Sequence, residues 1–353
     1  MNDPAIPRHA LAPGAEVPRI LNGCWQLAQD HHRDPRAEEE SIEDLLHLAR
    51  QGFTTFDAAD IYTGVEERLG AMRRRWQAAG RESSALRVHT KFVPDRDVLE
   101  NIDPAYVRQI LDRSRHRLGT ECLDLVQFHW WDFEVEGWVE TARCLDDLRQ
   151  EGTLRHLGVT NFDQAHLRPI VDAGVELASN QVQYSLLDRR PERGTAEFCI
   201  QHGISLLTYG ALAGGFLTER WLGADDPGME VENRSLVKYR LIIDEFGGWQ
   251  AFQNLLRALG EIARKHGVGL AQVAIRWVLG RPGVGAVILG ARTAAHGERN
   301  VGIFRFGLDS EDEQRLDALL AKHPGPPGDI YSVERLPGGR HGAIMKTHLN
   351  QEP

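Results

Sequence analysis

Short apolar runs alternate along this chain with longer segments whose apolar residues recur every three to four positions. The first pattern is that of strands buried in a parallel sheet, the second that of helices burying one face. The runs lie at residues 20–27, 54–56, 86–91, 123–129, 154–159, 177–183, 204–208 and 286–289. Helical patterns fall at 38–50, 69–76, 104–118, 138–150, 164–173, 192–202, 252–266 and 270–279, with a last amphipathic segment at 310–322. Pro104 stands at a favoured first-turn position, and Gly52, Gly119 and Gly152 follow the last periodic residue of their segments as stops. Between residue 210 and about 248 the period fades, which predicts a long insertion without regular structure. From His323 the chain is rich in Pro and Gly and reads as an extended tail.

Strict strand–helix alternation implies a parallel sheet. Eight such units favour a closed (β/α)8 TIM barrel over an open doubly wound sheet. The first strand–helix turn has no Gly-x-Gly-x-x-Gly, which counts against the dinucleotide-binding form of the open sheet. The 353 residues exceed the ~250 typical of such a barrel. A long loop after strand 7 and a C-terminal extension absorb the excess. No compositional break divides the chain, so a single domain is expected, with the barrel over about 18–322 and a tail at 323–353.

Composition narrows the partners. Hydrophobic content of 42% and charged content of 26% are those of an ordinary soluble protein. A net charge of -10 argues against nucleic acid, whose phosphates require a basic face. No apolar run approaches the ~20 residues of a membrane span, and residues 1–18 carry no apolar signal core, so a cytoplasmic protein is expected. Cys24, Cys122, Cys144 and Cys199 are scattered, with no Cys-x-x-Cys pair, and read as reduced thiols. The 15 histidines show no metal-ligand spacing, and no metal is expected.

Polar residues close consecutive strands: Asp57, Lys91, His129, Thr160 with Asn161, Gln181 and Tyr209. Tyr62 follows Asp57 by five positions. Taken singly, each has an ordinary explanation: a helix cap, a surface lysine, a satisfied core histidine, a packed aromatic. A barrel gathers all of these strand ends around one mouth, where active sites sit. The set suits proton transfer to a carbonyl oxygen. A free tyrosine titrates near 10, and a neighbouring ammonium such as Lys91 favours its ionised form. Asp57 would keep Lys91 charged, and His129 is expected to orient a substrate carbonyl by donating a hydrogen bond. No serine or cysteine nucleophile accompanies these groups, so acyl transfer is disfavoured, and hydride transfer from a nicotinamide fits.

The segments carrying these residues resemble the aldo-keto reductase family over residues 18–322. Asp57, Tyr62, Lys91 and His129 match the family's tetrad, within Phe-Asp-Ala-Ala-Asp-Ile-Tyr at 56–62. Gly-Val-Thr-Asn-Phe at 158–162, Asn180-Gln181, and Leu-Thr-Tyr-Gly-Ala-Leu-Ala-Gly-Gly at 207–215 match further family segments. The resemblance implies a barrel that binds NADP(H), in preference to NAD(H), in an extended pose. It implies Tyr62 as general acid, tuned by Lys91 and Asp57 and assisted by His129. Thr160, Asn161 and Gln181 would meet the nicotinamide carboxamide, and Tyr209 would stack on its ring. Leu212 and Gly214 would lie on the pyrophosphate, and Gly290, Arg292, His296 and Asn300 would form the adenosine phosphate loop. Trp25, Trp130 and Trp131 are the candidate walls of the substrate pocket.

Two departures from the family pattern stand out. His296 and Arg299 replace its usual residues in the phosphate loop, leaving Arg292 to stack on adenine or meet a 2′-phosphate. Thr63-Gly64-Val65 after Tyr62 is shorter than the glycine-rich loop of many relatives. The leading reading is a carbonyl–alcohol oxidoreductase acting on a small-molecule substrate, as a monomer or homo-oligomer. The alternatives are an NAD-dependent sugar or aldose dehydrogenase and a cofactor-binding regulatory subunit. Trp221, Tyr239 and Trp249 in the insertion are lid candidates, and the tail either folds over the barrel mouth or serves oligomer contacts.

Overall fold

Eight parallel strands close into a barrel in this computed structural model, which describes residues 6–28, 38–290 and 294–350. An antiparallel hairpin, β1 (Arg8–Ala12) and β2 (Ala15–Pro18), precedes it. The barrel strands are β3 (Ile20–Gly23), β4 (Thr55–Asp57), β5 (Arg87–Phe92), β6 (Leu123–His129), β7 (Leu154–Thr160), β8 (Ser179–Gln183), β9 (Ser205–Tyr209) and β10 (Val284–Gly290), with β10 returning to pair with β3. The outer helices begin with α1 (Glu38–Arg50), α2 (Val65–Ala78), α3 (Pro104–Leu118), α4 (Trp138–Gln150), α5 (Gln164–Asp172) and α6 (Thr195–Gln201). They continue through α7 (Arg234–Phe246), α8 (Gly248–His266), α9 (Leu270–Leu279), α10 (Ala294–Val301), α11 (Ser310–Leu320) and a short α12 (Ser332–Arg335).

Local chemistry sets these boundaries. In α3 the Asp103 carboxylate accepts from the Tyr106 amide at 2.8 Å, Pro104 opens the first turn, and Gly119 closes the helix in the left-handed region at φ 61°. Between strands and helices Phe53, Phe56, Phe92, Phe128 and Phe162 are fully buried, each contributing about 1.5–3 kcal/mol of apolar transfer.

Three regions differ from the sequence reading. The polar-looking N-terminus forms the β1–β2 hairpin, whose Leu11 and Val17 pack against Leu21, Leu125, Leu207, Ala286 and Ile288 and so plug the lower end of the barrel. Two apolar side chains suffice for this, too few to register as a pattern. The insertion at 210–248, expected to be irregular, contains α7, opened by the Asn233 side chain accepting from the Leu236 amide at 3.0 Å. Its period is obscured by Arg240, a charged residue on the buried face, which is held there by Asp226 and Asp244. Trp221 and Trp249 form an aromatic cluster with Phe216 and Phe252 instead of a lid, and Tyr239 lies buried beneath the turn at 210–214.

The tail is likewise not free. The buried Arg190 guanidinium donates to both Glu334 oxygens at 2.8 and 2.9 Å while also paired with Asp188 at 2.6 Å. Further on, the amides of Leu349 and Asn350 donate to Asp95 at 2.7 and 2.9 Å. These two anchors lay residues 331–350 across the mouth of the barrel, one of the two placements open on sequence.

Candidate active site

Strand register builds the mouth. Lys91 lies opposite Gln127, His129 opposite Thr160, and Thr160 opposite Gln181. The Lys91 ammonium therefore reaches back to the end of β4, 2.8 Å from Asp57 Oδ2 and 2.7 Å from the Ala58 carbonyl. The other Asp57 oxygen accepts from Gln127 Nε2 at 3.0 Å and from Gln181 Nε2 at 2.6 Å. Tyr62 stands in the β4–α2 loop, with Lys91 Nζ 5.0 Å from its ring centroid and Trp25 edge-on at 4.8 Å. Asp57, Tyr62, Lys91 and His129 thus converge at one end of the barrel.

Burial governs the charges. It pulls the Lys91 ammonium down, but Asp57 and Tyr62 outweigh it and leave the pKa raised. Burial pushes the Tyr62 phenol above its ordinary value; Lys91 opposes this without reversing it. Lys91 favours the ionised phenol as expected, but an ammonium already shared with Asp57 returns less than desolvation removes. His129 is driven down to about 3 by burial and by the charges of Arg335, Lys91 and Lys238. Its Nδ1 lies 3.2 Å from the Thr160 carbonyl. A carbonyl only accepts, so Nδ1 holds the single proton of the neutral ring and Nε2 presents a lone pair. In that tautomer His129 would accept at the mouth, where the sequence suggested a donor.

The residues expected at a cofactor lie around the same opening. Thr160 Oγ1 donates to the Gln181 carbonyl at 3.0 Å. Asn161 sits at φ 61° and accepts from the Tyr209 hydroxyl at 2.8 Å. After β9, Ala213, Gly214 and Gly215 take φ of 46, 67 and 105° in succession, a left-handed turn following Leu212. Such a turn gathers backbone amides into an anion-binding concavity. Added bulk at Gly214 would come within 2.7 Å of the Tyr239 ring. Gly290 ends β10, and Asn300 is half-buried in α10. Arg292 and the His296 side chain lie outside the described residues. Uncharged amides, an aromatic face and a glycine-rich turn are a donor set that fits a nicotinamide dinucleotide.

The sequence profile of the Aldo/keto reductase family matches residues 19–321. The chain belongs to the aldo/keto reductase family. Membership makes it an NAD(P)-dependent oxidoreductase of carbonyl compounds and alcohols. It is 27% identical to aldo-keto reductase yakc [NADP(+)] of Schizosaccharomyces pombe, over 91% of this chain and 96% of that one. It is 26% identical to the NADH-specific methylglyoxal reductase of Escherichia coli, over 62% of this chain and 66% of that one. Among solved structures it resembles a thermostable aldo-keto reductase in complex with the inhibitor epalrestat. That match has a TM-score of 0.67 at 27% identity, over 87% of this chain and 96% of that one.

Within this family site the three tryptophans separate. Trp25 and Trp131 are half-buried beside Tyr62 and His129, the Trp131 ring 4.4 Å from the imidazole. Trp130 is fully buried, its indole donating to the Val135 carbonyl at 3.0 Å, so it packs beneath the mouth and does not line it. Sequence reasoning gave no site role to four side chains at the mouth. Gln127 braces Asp57; its signal was the two-residue period of β6, which points Leu125, Gln127 and His129 to one face. Lys238 places its ammonium 5.2 Å from the Tyr209 centroid, Tyr331 lies 5.7 Å from the His129 ring, and Arg335 donates to the Trp130 and Asn161 carbonyls at 2.9 and 3.0 Å. No local motif marks these three.

Proposed function

We propose that this protein reduces aldehydes and ketones with NADPH, Tyr62 giving the proton to the carbonyl oxygen. The observation that carries this reading is the buried Asp57–Lys91 pair at 2.8 Å, set beside the Tyr62 ring and facing a neutral His129. When bound, the nicotinamide supplies the hydride. Thr160, Asn161 and Gln181 would hold its carboxamide, Tyr209 its ring, and the turn at 212–214 its pyrophosphate. Gly290, Arg292, His296 and Asn300 would meet the adenosine end.

Tyr62 is protonated at neutral pH, since burial raises its pKa, and it is therefore ready to act as an acid. As the phenol gives up its proton, the Lys91 ammonium stabilises the tyrosinate that forms, and Asp57 holds that ammonium in its charged form. In the oxidative direction the roles reverse: the Tyr62 tyrosinate takes the hydroxyl proton of the alcohol, and the hydride would pass to the bound nicotinamide. NADPH is favoured over NADH by the pattern of the phosphate loop and by the yeast relative named for NADP(+). The NADH-specific relative makes NADH the competing outcome.

The test is a titration with NADPH and with NADH, followed by quenching of tryptophan fluorescence, on the native protein and on Tyr62→Phe. We expect tighter binding of NADPH, binding retained in the variant, and a loss of about 10²–10⁴ in aldehyde reduction. Preference for NADH would bring sugar oxidation forward. A Tyr62→Phe protein that still reduces aldehydes would overturn the acid role, and binding of neither cofactor would remove the whole reading.

A further inference from the structure

The mouth holds two cations with no carboxylate in ion-pair reach among the described residues. Among the described residues the Lys238 ammonium has no hydrogen-bond or ion-pair partner; its contacts are the faces of Tyr209, Tyr331 and Tyr239 at 5.2, 5.3 and 5.7 Å from the ring centroids. Arg335 lies over Phe133 at 4.3 Å and beside Tyr331 at 5.2 Å, and its hydrogen bonds go only to carbonyl oxygens. Its Nε is buried without a partner among the described residues. Glu334, next to Arg335 in the chain, does not neutralise either cation by contact, because both its oxygens are taken by Arg190. One ring, Tyr331, separates the two charges, and the same ring packs edge-on against His129.

This arrangement costs stability as it stands. Burial lowers the pKa of Lys238 and brings that of Arg335 down to about 10, by more than the charges of Glu334 and Asp188 near the first and of Asp163 and Glu334 near the second offset. Cation–π contact offsets part of that cost and leaves the net positive charge in place. Arg335 is fixed, however: its bonds to the Ile330, Trp130 and Asn161 carbonyls and the Arg190–Glu334 bridge beside it hold the tail in one position. A fixed, partly desolvated cation pair beside a reaction centre is complementary to an anion.

Resting on the reductase reading above, we propose that Lys238 and Arg335 form a subsite for an anionic group, the carboxylate of an aldehyde or ketone substrate held with its carbonyl toward Tyr62. Phosphate oxygens of the cofactor share that chemistry, and the test separates the two sources. Reduction of 4-carboxybenzaldehyde is compared with that of benzaldehyde, and NADPH binding is measured by fluorescence, in native protein, Lys238→Met, Lys238→Arg and Arg335→Met. Arg335→Met also frees the Trp130 and Asn161 carbonyls, so Lys238→Met, which removes no hydrogen bond among the described residues, decides the matter.

We expect the native protein to favour the carboxylated aldehyde in kcat/KM. Lys238→Met should reduce that preference about ten-fold, through KM, and Lys238→Arg should restore it. Equal use of both aldehydes by the native protein overturns the subsite and leaves the reductase reading standing. Weakened NADPH binding in Lys238→Met with the preference unchanged assigns the charge to the cofactor and also overturns it. If neither aldehyde is turned over, benzoate binding is measured calorimetrically. Binding that Lys238→Met weakens upholds the anion subsite although the reductase reading has failed, and benzoate binding indifferent to Lys238, or absent, overturns it.

Discussion

Two buried cation–carboxylate centres flank the mouth, and they are built to opposite ends. In the Asp57–Lys91 pair both side chains are 6% exposed, and the ammonium spends two of its three donors, on Asp57 and the Ala58 carbonyl. In the Asp188–Arg190–Glu334 triad the guanidinium is 1% exposed and makes four side-chain bonds to two fully buried carboxylates. The first centre turns its remaining donor to Tyr62. The second is nearly saturated, and what it does is hold the tail against the barrel. A cation that takes part in chemistry needs a donor turned to the reacting group; one that anchors a segment needs its donors spent on the anchor.

The largest expected effect comes from breaking the anchor. Arg190→Met leaves Asp188 and Glu334 buried with no cation between them, a loss of about 3–5 kcal/mol in urea denaturation. Limited proteolysis should then cut within residues 324–350 before it cuts the barrel. Unchanged stability and an uncut tail would mean that the contacts at Asp95 hold the extension without the triad.

The contrast also shows which features a sequence can carry. The barrel was legible because each strand and helix announces itself by its own period, and eight of them in alternation leave few topologies. Asp57, Lys91, His129 and Thr160 were legible as candidates because each closes a strand, a position with meaning in a parallel barrel. Arg190, Glu334, Lys238 and Arg335 were not. Their meaning lies in pairings across 144 residues, for Arg190 with Glu334, or in the absence of a pairing, and neither leaves a local trace. The hairpin and α7 escaped for a related reason: their buried faces hold few apolar residues or include a neutralised arginine. The net direction of the Tyr62 pKa was hidden because burial depth is a property of the fold.

Asp60 provides the intermediate case, a buried carboxylate at the same rim with no cation in hydrogen-bond reach among the described residues. It accepts only from the Val93 amide at 3.1 Å and Asn350 Nδ2 at 3.2 Å. Burial raises it from 3.8 to about 7. A raised folded pKa contributes stability that is complete below 3.8 and is lost as the pH rises through about 7. His89 and His129, lowered to about 4 and 3, work in the other sense, contributing stability that is complete above 6.5 and lost as the pH falls. Asp60→Asn keeps an oxygen for Val93 and removes only the carboxylate's contribution, while the histidines cancel in the comparison. Between pH 5 and pH 8 the native protein should lose about 2–3 kcal/mol relative to the variant. Parallel pH profiles would mean that Asp60 is ionised throughout.

The smallest effect sharpens the comparison most, because it concerns a neutral side chain at the functional centre. Gln127 donates to Asp57 at 3.0 Å and accepts from Gln181 Nε2 at 2.9 Å, so it touches the tetrad carboxylate and the proposed carboxamide contact at once. Gln127→Leu leaves Asp57 with Gln181 and Lys91, and the expected loss is about 1.5–3 kcal/mol, that of one hydrogen bond to a charged group. If Gln127 also positions Gln181, cofactor binding should weaken in Gln127→Leu although Gln127 itself meets no cofactor, and the double variant with Gln181→Leu should show little further loss. Coupling in that cycle beyond about 0.5 kcal/mol identifies a network acting as one unit. Additivity would separate the two amides: Gln127 would then be bracing for Asp57 alone, and the donor that Lys91 turns to Tyr62 would be the whole of what distinguishes this centre from the anchor.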